Sequence, residues 1–224
     1  MAQAKDSHRK QLSIEGLTQS GNSEYIESVF DLTEDKVEKL KRTKPKLLGI
    51  RCRRTDCAKG LHCFDSAKAR PKYERGKCQE CGVELVKWDE VWLHDTRDVE
   101  KKFAFLETEW IRHFFFHVPT TERIRKYARK HGLAGLGRII ENQLRNKKML
   151  NYIAALDRTQ TKMLDGTIVH WARHAVGCCC RGCMNYWHNV PLDHELTDED
   201  IKYFTELALK FIATRMPDLG VGPA

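Results

Sequence analysis

The chain has 224 residues, 41% of them hydrophobic, and a formal net charge of +8 at pH 7. This composition is ordinary for a folded protein, and the length suits one large domain or two small ones. No apolar run approaches the roughly 18 residues of a membrane-spanning helix, and the N-terminal segment lacks the apolar stretch of a secretory signal. We therefore expect a cytoplasmic protein that does not enter membranes.

The first third of the chain is predicted to be irregular. Residues 1–30 are polar and read as a flexible arm, and residues 31–95 read as a cysteine-rich zinc-binding module. Within that module, Thr33 favours a short helix over residues 34–42, which Pro45 ends. The apolar run at residues 47–52 then predicts a strand that delivers the first thiol.

Close spacing of cysteines indicates metal ligands in this module. Nine cysteines, an odd number without an export signal, favour thiolate ligands over disulfides. The segment has few apolar residues, so a bound metal would replace a hydrophobic core. The predicted ligands are Cys57, Cys63, Cys78 and Cys81, with Cys52 or Cys63 as the spare thiol. Cys78-Gln79-Glu80-Cys81-Gly82 has the form of a zinc knuckle, and His62 is interpreted as an ordinary polar loop residue.

Residues 96–224 are predicted to form a helical domain. A core-facing aromatic helix covers residues 96–117, and its His113 and His117 share one face in a spacing compatible with metal binding. The phenylalanines between them favour packing as the role of both histidines. A second helix begins after Thr120 or Thr121 and ends at Gly132, and a third runs from about residue 136 to 155.

These two helices concentrate positive charge. Residues 122–148 hold nine basic and two acidic side chains. Clustered positive charge attracts phosphate backbones, so this stretch predicts contact with nucleic acid. The basic residues are Arg123, Arg125, Lys126, Arg129, Lys130, Arg138, Arg145, Lys147 and Lys148. An alternative interpretation is a solvated helix face that acidic residues elsewhere balance.

The last third contains a second group of cysteines and histidines. Residues 167–176 are rich in strand-forming residues and predict a strand that brings His174 to this group. The group itself lies between residues 178 and 188, and the predicted ligands are His174, Cys179, Cys180, Cys183 and His188. A final helix with a buried stripe begins near Thr197. The fold class is thus predicted as α+β, mainly helical, with a small zinc-stapled module and a few short strands.

Two arrangements of the metal ligands are open. In the first, each group closes its own site, with four of the first five cysteines at one zinc and Cys180, Cys183 and His188, completed by His174 or Cys179, at another. In the second, Cys78 and Cys81 join Cys180 and Cys183 in one four-thiolate site that holds the two halves of the chain together. The entropic cost of closing a loop grows only with the logarithm of its length, so the long chain between the two cysteine pairs does not exclude the shared site.

Two resemblances bear on these motifs. The Cys179-Cys180-Arg181, Cys183 and Trp187-His188 motifs resemble a bacterial domain family of unknown function, which implies a cytoplasmic bacterial protein and brings no activity with it. More weakly, the Cys78–Gly82 and Cys180–Asn185 segments resemble the zinc-bearing His-Asn-His nucleases. That resemblance implies His94 and Asp95 as the general base pair, and Asn185 or His188 in an orienting or metal-binding role.

The leading functional prediction is a zinc-binding protein with one or two structural zinc ions, whose basic helices contact nucleic acid. Whether the chain is an enzyme is left open. The first alternative is a metal-dependent nuclease that uses His94, Asp95 and His188. The second alternative is an iron–sulfur or dithiol redox protein built on the thiols around Cys180 and Cys183.

Overall fold

A computed structural model describes residues 32–42, 52–64, 76–84, 88–146, 166–192 and 195–221. These residues form eight α-helices, which are α1 (Glu34–Arg42), α2 (Trp88–Val91), α3 (Val99–Leu106), α4 (Trp110–His117), α5 (Glu122–Arg145), α6 (Ile168–Ala175), α7 (Arg181–His188) and α8 (Asp198–Arg215). A single 3-10 turn covers Cys57–Lys59. The β-structure of the described residues consists of isolated bridges. The fold is therefore mainly helical, as predicted.

Several predicted elements lie outside the described residues. These are the arm at residues 1–30, residues 47–51 of the predicted strand, and the part of the third predicted helix beyond residue 146. Lys147 and Lys148 belong to that last part. None of the helices in the described ranges is long and apolar enough to span a lipid bilayer.

Helices α4, α5, α6 and α8 pack against one another and form the centre of the protein. The predicted stripe of α8 is buried, and it includes Ile201, Phe204, Leu207, Ala208, Phe211 and Ile212. The helix begins with a capping box in which Thr197 and Asp200 each accept a hydrogen bond from the other's backbone N–H. Because its apolar residues recur at helical spacing, the sequence alone identified this helix.

The prediction of a strand over residues 167–176 is wrong, because this segment forms helix α6. The side chain of Thr167 accepts a hydrogen bond from the backbone N–H of His170 and caps the helix. Ile168, Trp171 and Ala175 then fall on one helical face, and every residue of α6 except the half-buried His170 is buried among α4, α5 and α8. Burial on nearly all sides explains why strand-forming residues give a helix here, since packing overrides their local propensity.

The predicted helix over residues 96–117 is divided into α3 and α4. Asp98 caps α3 by accepting a hydrogen bond from the backbone N–H of Lys101. The break falls at residues 107–109, where the hydroxyl of Thr108 donates to the carbonyl of Phe105 at 2.6 Å. The backbone of His62 bonds to residues on both sides of the break, accepting from the N–H of Trp110 and donating to the carbonyl of Thr108. The loop of the cysteine-rich segment thus holds the α3–α4 turn in place.

Helix α5 bends where the sequence predicted that a helix ends. Gly132 has φ 60° and ψ 175°, a conformation that favours glycine, and the helix continues beyond it. The freed backbone N–H groups of Leu133 and Ala134 donate to the carbonyls of Gly220 and Val221. The C-terminal tail therefore satisfies the donors that the bend exposes.

The cysteine-rich segment shares its core with the helical domain. The ring of Trp88 lies 6.1 Å from that of Phe64 and 5.5 Å from that of Trp187, measured between centroids. The indole N–H of Trp92 donates to the carbonyl of Tyr186 at 3.2 Å. These contacts fix the first group of cysteines relative to α7, which carries part of the second.

Candidate metal centres

Four potential metal ligands converge in the cysteine-rich segment. The Sγ atoms of Cys57, Cys78 and Cys81 and a ring nitrogen of His62 all lie within 4.8 Å of one another. The sulfurs of Cys57 and Cys78 are 3.8 Å apart, and the sulfur of Cys81 lies 3.3 Å from Nδ1 of His62. We call these four residues the Cys3His group. They provide a complete set of four soft or borderline donors.

Local backbone structure positions these donors. Cys57 begins the 3-10 turn, which Gly60 closes by donating to the carbonyl of Cys57. Cys78 and Cys81 lie on a tight turn, in which Gly82 donates to the carbonyl of Cys78 and Cys78 donates to that of Val83, both at 2.9 Å. Gly82 has φ +73°, so the predicted need for a glycine after the second thiol is met.

The sulfurs of the Cys3His group differ in acidity. Burial raises the pKa of the Cys78 thiol, but backbone N–H groups at Cys81, Cys63 and Glu80 outweigh it and lower the value to about 6. For Cys57, burial and hydrogen bonds to the other two thiols raise the pKa to about 12. A thiolate at Cys78 beside the protonated thiol of Cys57 suits a bound cation, because the cation displaces the remaining proton.

His62, and not the predicted Cys63, stands with the three thiols. Cys63 is buried, and its thiol donates to the carbonyl of Cys52 at 3.4 Å. Its own carbonyl accepts from the backbone N–H of Gln79 at 2.8 Å, so Cys63 supports the knuckle through its backbone. Neighbouring residues in an extended segment point to opposite sides, which explains why only one of the two side chains reaches the group.

A second group consists of thiols alone. The Sγ atoms of Cys179, Cys180 and Cys183 lie within 4.8 Å of one another, at the start of α7, and all three residues are half-buried. We call them the three-thiol group. Cys180 is the N-cap residue of α7, and its carbonyl accepts from the N–H of Met184 at 3.0 Å. The Cys3His and three-thiol groups are separate, so Cys78 and Cys81 do not meet Cys180 and Cys183 as the shared four-thiolate site requires.

A buried arginine faces the three-thiol group. Nη2 of Arg112 lies 3.0 Å from the sulfur of Cys183, and Nη1 lies 3.8 Å from that of Cys179. On its other side Nε of Arg112 forms an ion pair with Glu109 at 3.0 Å, and Glu109 accepts from the indole N–H of Trp187 at 2.8 Å. Sequence reasoning missed Arg112 and Glu109. The available signal was two residues of opposite charge three positions apart, on either side of Trp110 and Ile111 in an aromatic-rich stretch.

These contacts determine where negative charge resides. Hydrogen bonds from the thiols of Cys180 and Cys183 hold the pKa of Cys179 well below its usual range, and Arg112 lowers it further. The pKa of Cys180 is raised by its hydrogen bond to Cys179, and that of Cys183 is raised by the same kind of bond. Burial raises the pKa of Glu109 to about 7, although Arg112 opposes this shift. The group thus holds a thiolate beside a cationic guanidinium.

The two histidines predicted as ligands of this group lie elsewhere. The ring of His174 stacks on Phe115, with centroids 5.2 Å apart, and only its backbone carbonyl meets Arg112. His188 is buried with both ring nitrogens engaged, because Nε2 donates to the carbonyl of Val176 at 2.8 Å and Nδ1 accepts from the hydroxyl of Tyr203 at 3.0 Å. His188 is therefore a packing residue in this arrangement.

The residues of the nuclease hypothesis lie outside both thiol groups. Nε2 of His94 donates to the backbone carbonyl of His188 at 2.8 Å, and its ring stacks on Tyr203. Asp95 forms an ion pair with Arg97 at 2.8 Å, which holds the pKa of Asp95 at about 2. Among the described residues, His94 and Asp95 belong to neither thiol group.

Helix α5 carries its basic residues largely on the surface, and acidic residues pair with some of them. Arg125 pairs with Glu34 at 2.9 Å and with Glu122 at 3.0 Å. Two further ion pairs join α5 to the C-terminal region, namely Arg129 with Asp218 and Arg145 with Asp198. The exposed basic residues of this helix are Arg123, Lys126, Arg129, Lys130, Arg138 and Arg145.

Comparison with known proteins concerns the helical part of the chain. The model of a family described as "Domain of unknown function (DUF4186)" matches residues 100–213. The matched range includes the three-thiol group and Arg112, whereas the Cys3His group lies before it. No solved structure matches the chain.

Proposed function

We propose that this chain, which belongs to the family of unknown function described above, is a zinc-binding protein with two separate thiolate sites. The observation that carries the proposal is the convergence of Cys57, His62, Cys78 and Cys81 within 4.8 Å. These donors come from two stretches of largely irregular chain, residues 52–64 and 76–84, and one backbone hydrogen bond, from Gln79 to Cys63, joins the stretches beside the group. A shared metal ion adds a further link between them.

The donor chemistry of the Cys3His group fits zinc. Three thiolates and one imidazole at tetrahedral corners are a common ligand set for structural zinc, whereas magnesium and calcium prefer oxygen ligands. With four protein ligands the coordination sphere is closed. We therefore assign this zinc a structural role, in which it holds the cysteine-rich segment against the helical domain.

The three-thiol group fits a soft metal ion with an open position. Cys179, Cys180 and Cys183 supply three thiolates, which leaves the fourth corner of a tetrahedron for water or an external ligand. Three thiolates and a divalent ion carry one net negative charge. The guanidinium of Arg112, 3.0 Å from Cys183, compensates this charge and holds the sulfur in position.

Metal analysis tests the proposal. We expect the protein, purified without chelators, to contain two zinc ions per chain, one for each group. A thiol-modifying reagent is expected to release both ions, because every ligand set contains cysteine. Native mass spectrometry before and after modification measures the release. A metal-free chain that does not bind added zinc would contradict the proposal, and iron in place of zinc would assign iron–sulfur chemistry to the cysteines.

We further propose that helix α5 contacts nucleic acid, as a second and separate role. The supporting observation is the exposed stripe of Arg123, Lys126 and Lys130, which lie on one face of the first half of the helix. Arg125 and Arg129 beside them are paired with acidic residues, so the stripe is narrower than the sequence indicated. Such a stripe binds phosphates without reading bases.

Binding of a short duplex as a function of salt tests this role. We expect Lys126→Gln with Lys130→Gln to weaken binding and to reduce the slope of log K against log salt by about 2, since about one counterion is released for each phosphate contact. Lys202→Gln with Lys210→Gln, two exposed lysines on α8, serves as the matched control. Equal binding by both double variants, or none at low salt, would reject the proposal.

A further inference from the structure

A third cluster of metal-binding side chains lies at the α3–α4 turn, away from all the cysteines. We propose that Glu107, His113 and His117 form a binding site for a first-row divalent metal ion, with open positions for an external ligand. Their ligand atoms lie within 4.8 Å of one another. The site shares no ligand with the two thiol groups, so this proposal is independent of the proposed zinc sites.

The geometry brings three donors to one point. His113 and His117 are one turn apart on α4, and their ring centroids are 4.1 Å apart. The carboxylate Oε2 of Glu107 lies 2.9 Å from Nε2 of His117 and 4.0 Å from Nδ1 of His113. A single carboxylate oxygen therefore approaches both imidazoles, from the side of the turn.

The turn that carries Glu107 is fixed by the backbone. Glu107 is the C-cap residue of α3, and its N–H donates to the carbonyl of Phe103. The carbonyl of Thr108 accepts from the N–H of His62, and the N–H of Trp110 donates to the carbonyl of His62, both at 2.9 Å. Because both flanks of the turn are tied down, Glu107 is held facing α4 without any metal ion.

Packing does not require both histidines. Phe114, Phe115 and Phe116 are buried and carry the contacts between α4 and the core. The side chain of His117 is 36% exposed and that of Glu107 is 30% exposed, whereas that of His113 is 11% exposed. The cluster thus sits at the surface, where an ion can enter, and is anchored on its inner side by His113.

The donor set selects the kind of ion. Two imidazoles and a carboxylate suit zinc, iron(II), nickel or cobalt, and they do not favour the soft ions that prefer three thiolates. Three protein donors leave the rest of the coordination sphere open to water or a small anionic ligand. Arg215 lies close enough to Glu107 for an electrostatic interaction with its carboxylate.

Titration with cobalt(II) tests the site on protein that holds two zinc ions per chain, one in each thiol group. We expect one additional cobalt ion to bind with the weak absorption of nitrogen and oxygen ligands, and without the intense charge-transfer band of thiolates. His117→Ala and Glu107→Gln are each expected to weaken this binding at least tenfold, because losing a ligand costs no less than losing an outer partner. His131→Ala, a half-buried histidine on α5, is the matched control.

The ordinary alternative is an ion pair between Glu107 and protonated His117, with no metal. Unchanged cobalt affinity in both variants, or no binding beyond the zinc sites in the parent protein, would establish that alternative and overturn the proposal. Thermal melts of the variants without cobalt verify that each one is folded. His113→Gln is a further variant. The proposal predicts that it weakens cobalt binding, because His113 is a ligand, whereas the ion-pair alternative gives His113 no role in metal binding.

Discussion

Replacing Arg112 by methionine is expected to destabilise the protein by about 3–5 kcal/mol, the usual effect of removing one partner of a buried ion pair. The side chain of Arg112 is 1% exposed and that of Glu109 is 3% exposed, so water does not replace the lost partner. Methionine has a similar volume and leaves no large cavity. The loss therefore reports on the buried ion pair with Glu109 and on the thiolate that Arg112 faces. Denaturant unfolding at neutral pH measures it.

The same substitution is expected to weaken metal binding at the three-thiol group. Without the guanidinium, the net negative charge of three thiolates and a divalent ion is buried without compensation. Zinc at the Cys3His group is expected to stay, because Arg112 contacts none of its four members in the structure. Selective loss of one zinc from Arg112→Met distinguishes this effect from general unfolding.

Two further variants separate charge from packing. Arg129→Met removes an exposed ion pair with Asp218 and is expected to change the stability by less than about 1 kcal/mol. The double variant Arg112→Met with Glu109→Gln removes both charges and is expected to recover part of the lost stability. If Arg112→Met were as stable as the parent protein, that result would show that Arg112 does not compensate buried charge.

The α3–α4 turn connects the three clusters. His62 of the Cys3His group forms a bridge with Glu109, and Glu109 holds Arg112 against the three-thiol group. Glu107, two residues earlier, faces His113 and His117. Substitutions in this turn are therefore expected to influence more than one site, and the single variants at His62 and Arg112 are the cleaner probes.

Sequence patterns predicted the features whose residues lie close together in the chain. Helix α8 was predictable because its apolar stripe and its capping residues lie within one segment. The knuckle at Cys78 and Cys81 was predictable because the spacing and the following glycine determine the turn. Cys179, Cys180 and Cys183 were identified for the same reason, since three thiols within five residues of chain need little long-range information.

Tertiary contacts decided the features that the sequence did not reveal. Whether His62 or Cys63 joins the other three ligands depends on which side chain faces the knuckle. The backbone bridge between His62 and Glu109 fixes the orientation of this segment. Arg112 reaches Cys183 across 71 positions of sequence, so no local pattern indicates the contact. Helix α6 carries strand-forming residues, and only its burial against three other helices explains its conformation.

The largest effect is expected for His62→Ala. Removing the fourth ligand opens the Cys3His site, and binding of structural zinc is coupled to the folding of the segment around it. We expect His62→Ala to lose one zinc and to lose hydrogen-exchange protection over residues 52–64 and 76–84. Helices α5 and α8 are expected to keep their protection, because they pack mainly against each other and against α6.

Cys63→Ala is the matched control, since it changes the adjacent residue and leaves the four proposed ligands intact. It removes a buried thiol that contacts the carbonyl of Cys52, so a modest loss of stability without loss of zinc is expected. The zinc content of this pair of variants is the most direct test of the Cys3His site. One zinc fewer in His62→Ala and full zinc in Cys63→Ala is the predicted result. Full zinc in His62→Ala, with loss in Cys63→Ala, would contradict it and assign the site to four thiolates.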